Sequence, residues 1–274
     1  PSGCKAFGAL ASTSELDSWL LPWRHKSQSL SFLLILAGSR TAEVEGISAA
    51  GATPLSRRYT ALADAELLLN GPRKPRHWSL PPLSAGVSPA LISYVASRWI
   101  GLDPQVAAVG LFQQPTFPYL CFDSPSFGPA ACLSTGRAMN QSRVKALWKK
   151  GFQMGRRLQR PLVLAECIPG GTTTAQAVLT GLGLSVGELI SGSARNPPIA
   201  LKQELVNSGL RAAGLGLNPR PQELLAAVGD PFQPLAVGIL LGATEGGQPI
   251  LLGGGGQMLA VLAMALAASQ PSMR

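Results

Sequence analysis

The stretch Pro161–Gly183, PLVLAECIPGGTTTAQAVLTGLG, limits the folds open to this chain more than any other segment. It opens on a short apolar run, Leu162–Ala165, with the length and composition of a buried strand. A carboxylate, Glu166, sits at the end of that run. Pro169, Gly170 and Gly171 then break regular structure, and Thr172 to Thr174 lead into a helical pattern from Ala175 that Gly181 and Gly183 stop. Strand, glycine turn and hydroxyl-rich helix start are the parts from which α/β proteins build an anion site. The first amides of a helix have no internal partner and lie at the positive end of its dipole. Glycine lets a phosphate approach that backbone, and threonine hydroxyls add donors. The same pattern also describes an ordinary strand-to-helix turn capped by threonine.

A second unit of this kind closes the chain. Pro249–Leu252 reads as a short strand, Gly253 to Gly256 follow, and Gln257–Ala268 is apolar on all sides, which predicts a buried helix. Two such units on one sheet place both helix starts on its carboxyl edge, where α/β ligands bind. Neither fits the GxGxxG dinucleotide register, and no Walker lysine follows Gly171, which argues against nucleoside-triphosphate hydrolysis.

Outside these units the pattern predicts strands at Leu30–Ala37 and Ala107–Phe112. Helices are expected at Thr60–Leu69, Ala90–Trp99, Gln141–Leu158, Ile199–Ala213 and Gln222–Val228, and a helix or buried segment at Pro234–Leu241. Gln113–Gly136 is irregular, a length that points to a functional loop or disorder rather than filler. Asp64 and Glu66 read as solvated or capping charges. Arg143, Lys145, Lys149, Lys150, Arg156 and Arg157 read as one solvated helix face. Lys202 falls in the first turn of its helix, against the dipole, which hints at a ligand-facing role.

The charge balance narrows the partners. There are 23 Lys+Arg against 14 Asp+Glu, a net charge of +9, but the excess is dispersed and no nucleic-acid signature accompanies it. Phosphorylated or carboxylated small molecules suit such a surface equally well, and no nucleic-acid partner is expected. Cys4, Cys121, Cys132 and Cys167 form no CxxC pair, so a reducing, cytoplasmic setting is expected. With only His25 and His77 present, neither a histidine metal site nor a His triad is predicted. No apolar segment is long and uninterrupted enough to predict a membrane span.

Taken together and in order, several segments resemble one family. They are GISAAGATPLSRRYTALADAE, LPPLSAGVSPALI, AECIPGGTTTAQAVLTGLG, SGSARNPP with its following lysine, VGDPFQP and LLGGGGQMLA. The family is the nicotinate-nucleotide–dimethylbenzimidazole phosphoribosyltransferase superfamily, and the match is nearest to its cyanobacterial and archaeal branch. The resemblance covers about residues 33–268. It implies one α/β domain over residues 1–274, with a parallel Rossmann-like sheet flanked by helices, a smaller helical part, and a homodimer. The implied reaction moves phosphoribose from nicotinate mononucleotide to an aromatic base such as 5,6-dimethylbenzimidazole, in cobalamin lower-ligand assembly, without metal or cofactor.

By the same resemblance Gly170, Gly171, Thr172 and Thr173 would cradle the 5′-phosphate or ribose, with Lys202 adding a point charge. Gly253, Gly254 and Gly255 would form the second cradle. Ser48, Thr53, Ser84 and Ser88 would border the base pocket. In the better-studied branch the proton acceptor is a glutamate in a C-terminal Lys-Glu-Gly-rich motif. This chain ends in ASQPSMR without that motif. Glu166 is then the candidate catalytic carboxylate, and the alternative is a paralogue that binds nucleotide without turning it over.

Overall fold

The computed structural model describes residues 13–23, 30–80, 88–190, 192, 194 and 196–269. Its centre is a five-stranded, all-parallel sheet. The strands in chain order are β1 (Ser31–Ala37), β2 (Pro104–Val109), β3 (Leu120–Cys121), β4 (Leu162–Cys167) and β5 (Ile250–Gly253). Their spatial order is β3-β2-β1-β4-β5. The helices are α1 (Thr13–Leu20), α2 (Pro54–Arg57), α3 (Thr60–Asn70), α4 (Pro89–Ile100), α5 (Gln141–Arg156), α6 (Gly171–Gly181), α7 (Ile199–Ala213), α8 (Pro221–Val228), α9 (Phe232–Glu245) and α10 (Gly256–Ser269). The expected α/β fold with a Rossmann-like parallel sheet is the observed one.

Strand β1 shows why the sheet has two covered faces. Leu33, Ile35 and Ala37 join Leu162 and Leu164 of β4 in a large core roofed by α5 to α10. The alternate residues Leu34 and Leu36 meet Ala61, Leu62, Ala65 and Leu68 of α3. A strand buried on both faces has no polar alternation, so SFLLILA is a continuous apolar run. Helices α5 and α9 touch backbone to backbone. A Cβ on Gly151 would lie 2.2 Å from the Leu235 carbonyl oxygen, and one on Gly242 would lie 2.1 Å from that of Phe152.

Several sequence expectations are corrected. The second strand runs over Pro104–Val109 rather than Ala107–Phe112, because Gly110, at φ +59°, turns the chain. The irregular stretch after it contributes the short edge strand β3. That stretch is held down by Arg143, which is buried rather than solvated: its guanidinium pairs with Asp123 at 2.6 Å and donates to the Gly128 carbonyl. Glu66 is buried and accepts the His77 and Trp78 amides, while Asp64 accepts from the Ser88 hydroxyl. Neither is a solvated charge. Helix α10 is not buried all round, since Leu259, Leu262 and Leu266 leave one exposed stripe. Among the described residues no helix is long and apolar enough to cross a membrane.

Candidate functional site

The strand order reverses between β1 and β4, so the chain leaves their carboxyl ends in opposite directions and opens a crevice there. Strand β5 lies beside β4, with Gly253 paired to Ala165. Both glycine-led helix openings therefore stand on one rim. A Cβ on Gly171 would come within 2.8 Å of the Gln257 side-chain nitrogen at the start of α10, and one on Gly256 would lie 3.1 Å from Ile190.

Helix α6 starts earlier than its apolar pattern suggests. Gly170 is its N-cap in a left-handed conformation, φ +76°, with no side-chain cap, so no threonine caps this helix. A Cβ there would also meet the Ala42 backbone at 3.1 Å. The amides of Gly171 and Thr173 turn onto the carbonyls of Ile168 and Gly170. Thr172, in the first turn, is partly exposed and faces Gly192. Thr173 is fully buried, and its hydroxyl has no hydrogen-bond partner among the described residues. Gly253, Gly254 and Gly255 are exposed at the β5–α10 opening.

Glu166 follows the parity of Leu162 and Leu164, which sends its side chain to the side of the sheet that carries Asp230. Its carboxyl is raised to about 7, first by burial and then by the nearby Asp230 carboxylate, against a hydrogen bond from the Ile168 amide that lowers it. In the sequence Asp230 is one residue of the VGDPFQP segment, with no role of its own. In the fold it is a fully buried hub that ties together the starts of three helices. It accepts from the Thr174 hydroxyl of α6 (2.5 Å), from Gln257 Nε2 of α10 (2.6 Å) and from the Phe232 amide of α9 (3.1 Å). Gln233 joins by donating to Gln257 Oε1 at 3.1 Å. Desolvation raises the Asp230 carboxyl, and these hydrogen bonds oppose the rise. The VGDPFQP segment is the available signal, but nothing in one sequence shows that Thr174, Gln233 and Gln257 converge on it.

Lys202 is buried in α7, and its Nζ donates to the Ile190 carbonyl at 2.5 Å. Desolvation lowers its pKa to about 8, so it stays mostly protonated at neutral pH. Ile190 packs against the Gly256 end of α10, which brings the lysine toward the rim from the α7 side. The hydroxyls expected at the base pocket are all engaged locally where described. Ser48 accepts the Ala50 amide, Thr53 caps α2 through Ser56, and Ser88 caps α4 while donating to Asp64. Ser84 lies outside the described residues. On the opposite face of β4, the Cys167 thiol points at Asp64 Oδ2, 3.5 Å away. Among the described residues no three His, Cys, Asp or Glu side chains gather as a metal site.

Comparison with known proteins follows the same outline. The sequence model of a family described as phosphoribosyltransferase matches residues 90–273. A "UPF0284 protein" of Prochlorococcus marinus strain MIT 9313 is 69% identical over 274 residues, 100% of this chain and 68% of its own length. A second, from Parasynechococcus marenigrum strain WH8102, is 59% identical over 97% of this chain and 67% of its own length. The chain thus spans about two thirds of these relatives. The crystal structure of CobT from Thermus thermophilus is similar with a TM-score of 0.64 at 22% identity, over 87% of this chain and 66% of that one. A structure of nicotinate-nucleotide–dimethylbenzimidazole phosphoribosyltransferase from the same organism gives 0.63 at 22% identity, over 87% and 65%. At that identity the likeness is one of fold.

Proposed function

Because the chain belongs to the phosphoribosyltransferase family, we propose that its carboxyl rim binds nicotinate mononucleotide and transfers the phosphoribosyl group to an aromatic base such as 5,6-dimethylbenzimidazole. The observation that carries this reading is the position of Glu166. It stands at the end of β4, beside both glycine-led helix openings, with its pKa raised to about 7.

In the proposed reaction the 5′-phosphate lies on the Gly170–Thr173 opening, and the Gly253–Gly255 opening closes the other side of the ribose. Lys202 offsets the phosphate charge at some cost to its bond with Ile190. A ring nitrogen of the base attacks C1′, and the C1′–nitrogen bond to nicotinate breaks with its electron pair going to the pyridine ring. The proton released by the attacking ring passes to the Glu166 carboxylate. A base with a pKa near the working pH is matched to that task. No cofactor enters this scheme. The homodimer implied by the sequence resemblance and a cytoplasmic setting belong to the same proposal.

One observation favours a second reading, nucleotide binding without turnover. Asp230 is committed to Thr174, Gln257 and Phe232, which leaves Glu166 to accept the proton without a second carboxylate to relay it. A turnover assay with nicotinate mononucleotide and dimethylbenzimidazole separates the two. Release of nicotinate with formation of the base ribotide supports transfer. Binding with no product supports the second reading, and no binding by a folded chain removes both.

A further inference from the structure

Helix α4 is apolar on the side that faces away from the fold. It packs on α3 through its other side, where Tyr94 joins the cluster around Leu62 and Leu68 and Ser97 is buried. A surface helix normally turns polar residues outward. Here Ile92 is 72% exposed, Val95 54%, Trp99 88% and Ile100 51%. Ile92, Val95 and Trp99 are spaced i, i+3 and i+7, so they form one stripe along the helix. Single exposed apolar residues are ordinary, but a stripe ending in a bare tryptophan marks a surface that meets something. The connection to β2, residues 101–103, is short. Trp99 and Ile100 therefore lie beside the start of that strand, at the end of the sheet away from the carboxyl crevice. The phosphoribosyl reading makes no use of this face.

The border of the stripe is basic. Gly71 lies against Tyr94, and a Cβ there would come within 2.5 Å of the tyrosine ring. Arg73, Lys74 and Arg76 follow in the same loop, all exposed. Three residues of extended chain span about 10 Å, which keeps Arg73 and Lys74 close to the helix. On α4 itself the Arg98 guanidinium carbon sits 5.6 Å from the centre of the Tyr94 ring, and one of its terminal nitrogens is 3.8 Å from an Asp103 oxygen. Asp103 is the one exposed carboxylate among the described residues of this loop, α4 and the connection. The α3 carboxylates are engaged inside, Asp64 by Ser88 and Glu66 by the His77 and Trp78 amides. Four cations thus border the stripe against one anion.

Two occupants of such a face differ in charge. In a two-fold dimer the patch meets itself, which sets the same four cations against each other. An anionic lipid surface complements them instead. We propose that α4 and the 71–76 loop form a peripheral docking face for an anionic membrane surface. Ile92, Val95 and Trp99 enter the boundary between headgroups and acyl chains, and Arg73, Lys74, Arg76 and Arg98 meet the lipid phosphates. At 12 residues α4 is too short to cross a bilayer, so the contact stays at the surface and leaves the carboxyl crevice open.

Flotation of the chain with vesicles tests this. Vesicles of phosphatidylcholine with about one third phosphatidylglycerol are expected to bind the chain about tenfold or more better than phosphatidylcholine alone. High salt should shrink that difference. Trp99→Ser should weaken binding to the anionic vesicles by about tenfold or more. Arg73→Gln combined with Lys74→Gln should do the same, at about fivefold per charge. Trp99 is exposed, so its replacement leaves the core untouched, and circular dichroism checks the fold. Leu259→Ser removes an exposed residue from α10, a helix without basic residues, and should leave binding unchanged. Equal binding to both kinds of vesicle overturns the proposal, and so does no binding by the folded chain. A loss in Leu259→Ser as large as in Trp99→Ser also overturns it, since general stickiness would explain both. A dimer in lipid-free sedimentation that Trp99→Ser converts to monomer assigns the face to a second copy and overturns it too.

Discussion

Replacing Asp230 by Asn is the sharpest test of how the rim is held together. The carboxylate presents acceptors only: Oδ2 takes the Thr174 hydroxyl and Gln257 Nε2, and Oδ1 takes the Phe232 amide. An asparagine of the same size has one amide nitrogen, which must face one of these donor sets. Toward Thr174 and Gln257 the threonine can escape, because its hydroxyl already reaches the Gly171 carbonyl at 3.0 Å. Gln257 cannot escape so simply. Flipping its amide would turn a nitrogen toward Gln233 Nε2, which now donates to Gln257 Oε1. Flipping Gln233 in turn would present its nitrogen to the Asp230 amide, whose bond to Gln233 Oε1 is 3.1 Å. One buried donor is left unpaired whichever way the network settles, a cost of about 1–3 kcal/mol. Relief of carboxylate desolvation offsets part of it, leaving a net loss of about 1–2 kcal/mol at pH 8. For a chain of this size that lowers the thermal midpoint by roughly 5 °C. Scanning calorimetry on the parent and Asp230→Asn at pH 8 measures it. A variant as stable as the parent, or more stable, would show that the acceptor hub does not hold these three helix starts.

The other predictions concern the rim residues one at a time. Glu166→Gln is expected to lower the proposed transfer rate by about 10²–10⁴ while leaving nicotinate mononucleotide binding nearly intact, read as a kcat loss at constant KM. Because the folded Glu166 carboxyl is raised from 4.5 to about 7, the folded chain holds its proton more tightly than the unfolded chain. Stability from this group is therefore complete below about 4.5, declines as pH rises toward about 7, and stays low above it. Glu166→Gln should remove that decline, so the variant gains midpoint on the parent between about pH 4.5 and 7.5; equal slopes would contradict the assignment. Lys202→Ala should weaken nicotinate mononucleotide by about 1.5–3 kcal/mol in calorimetry, whereas a similar loss from the exposed Lys149 would point to diffuse charge instead. Gly170→Ala forces a side chain into φ +76° and against Ala42, and should cost about 1–3 kcal/mol of stability by denaturant unfolding.

The sequence alone determined the kind of fold and the two glycine-led openings. Gly170-Gly171 and Gly253–Gly256 each follow a short apolar run and precede a helix, and local pattern suffices to read such a unit. Its apolar β1 run announced a strand covered on both faces. Only the tertiary structure decided which charges are structural. Arg143, Asp64 and Glu66 occupy helix positions that look solvated in sequence, but their partners Asp123, Ser88, His77 and Trp78 come from distant loops. The same holds for the rim chemistry. Glu166 is raised first because packing desolvates it and then because Asp230, far along the chain, lies near it, and Asp230 is tolerated there because α6, α9 and α10 all aim donors at it. Periodicity along a chain reports what each residue contributes to its own helix or strand, whereas a buried charge is set by groups that long-range packing brings within a few ångströms.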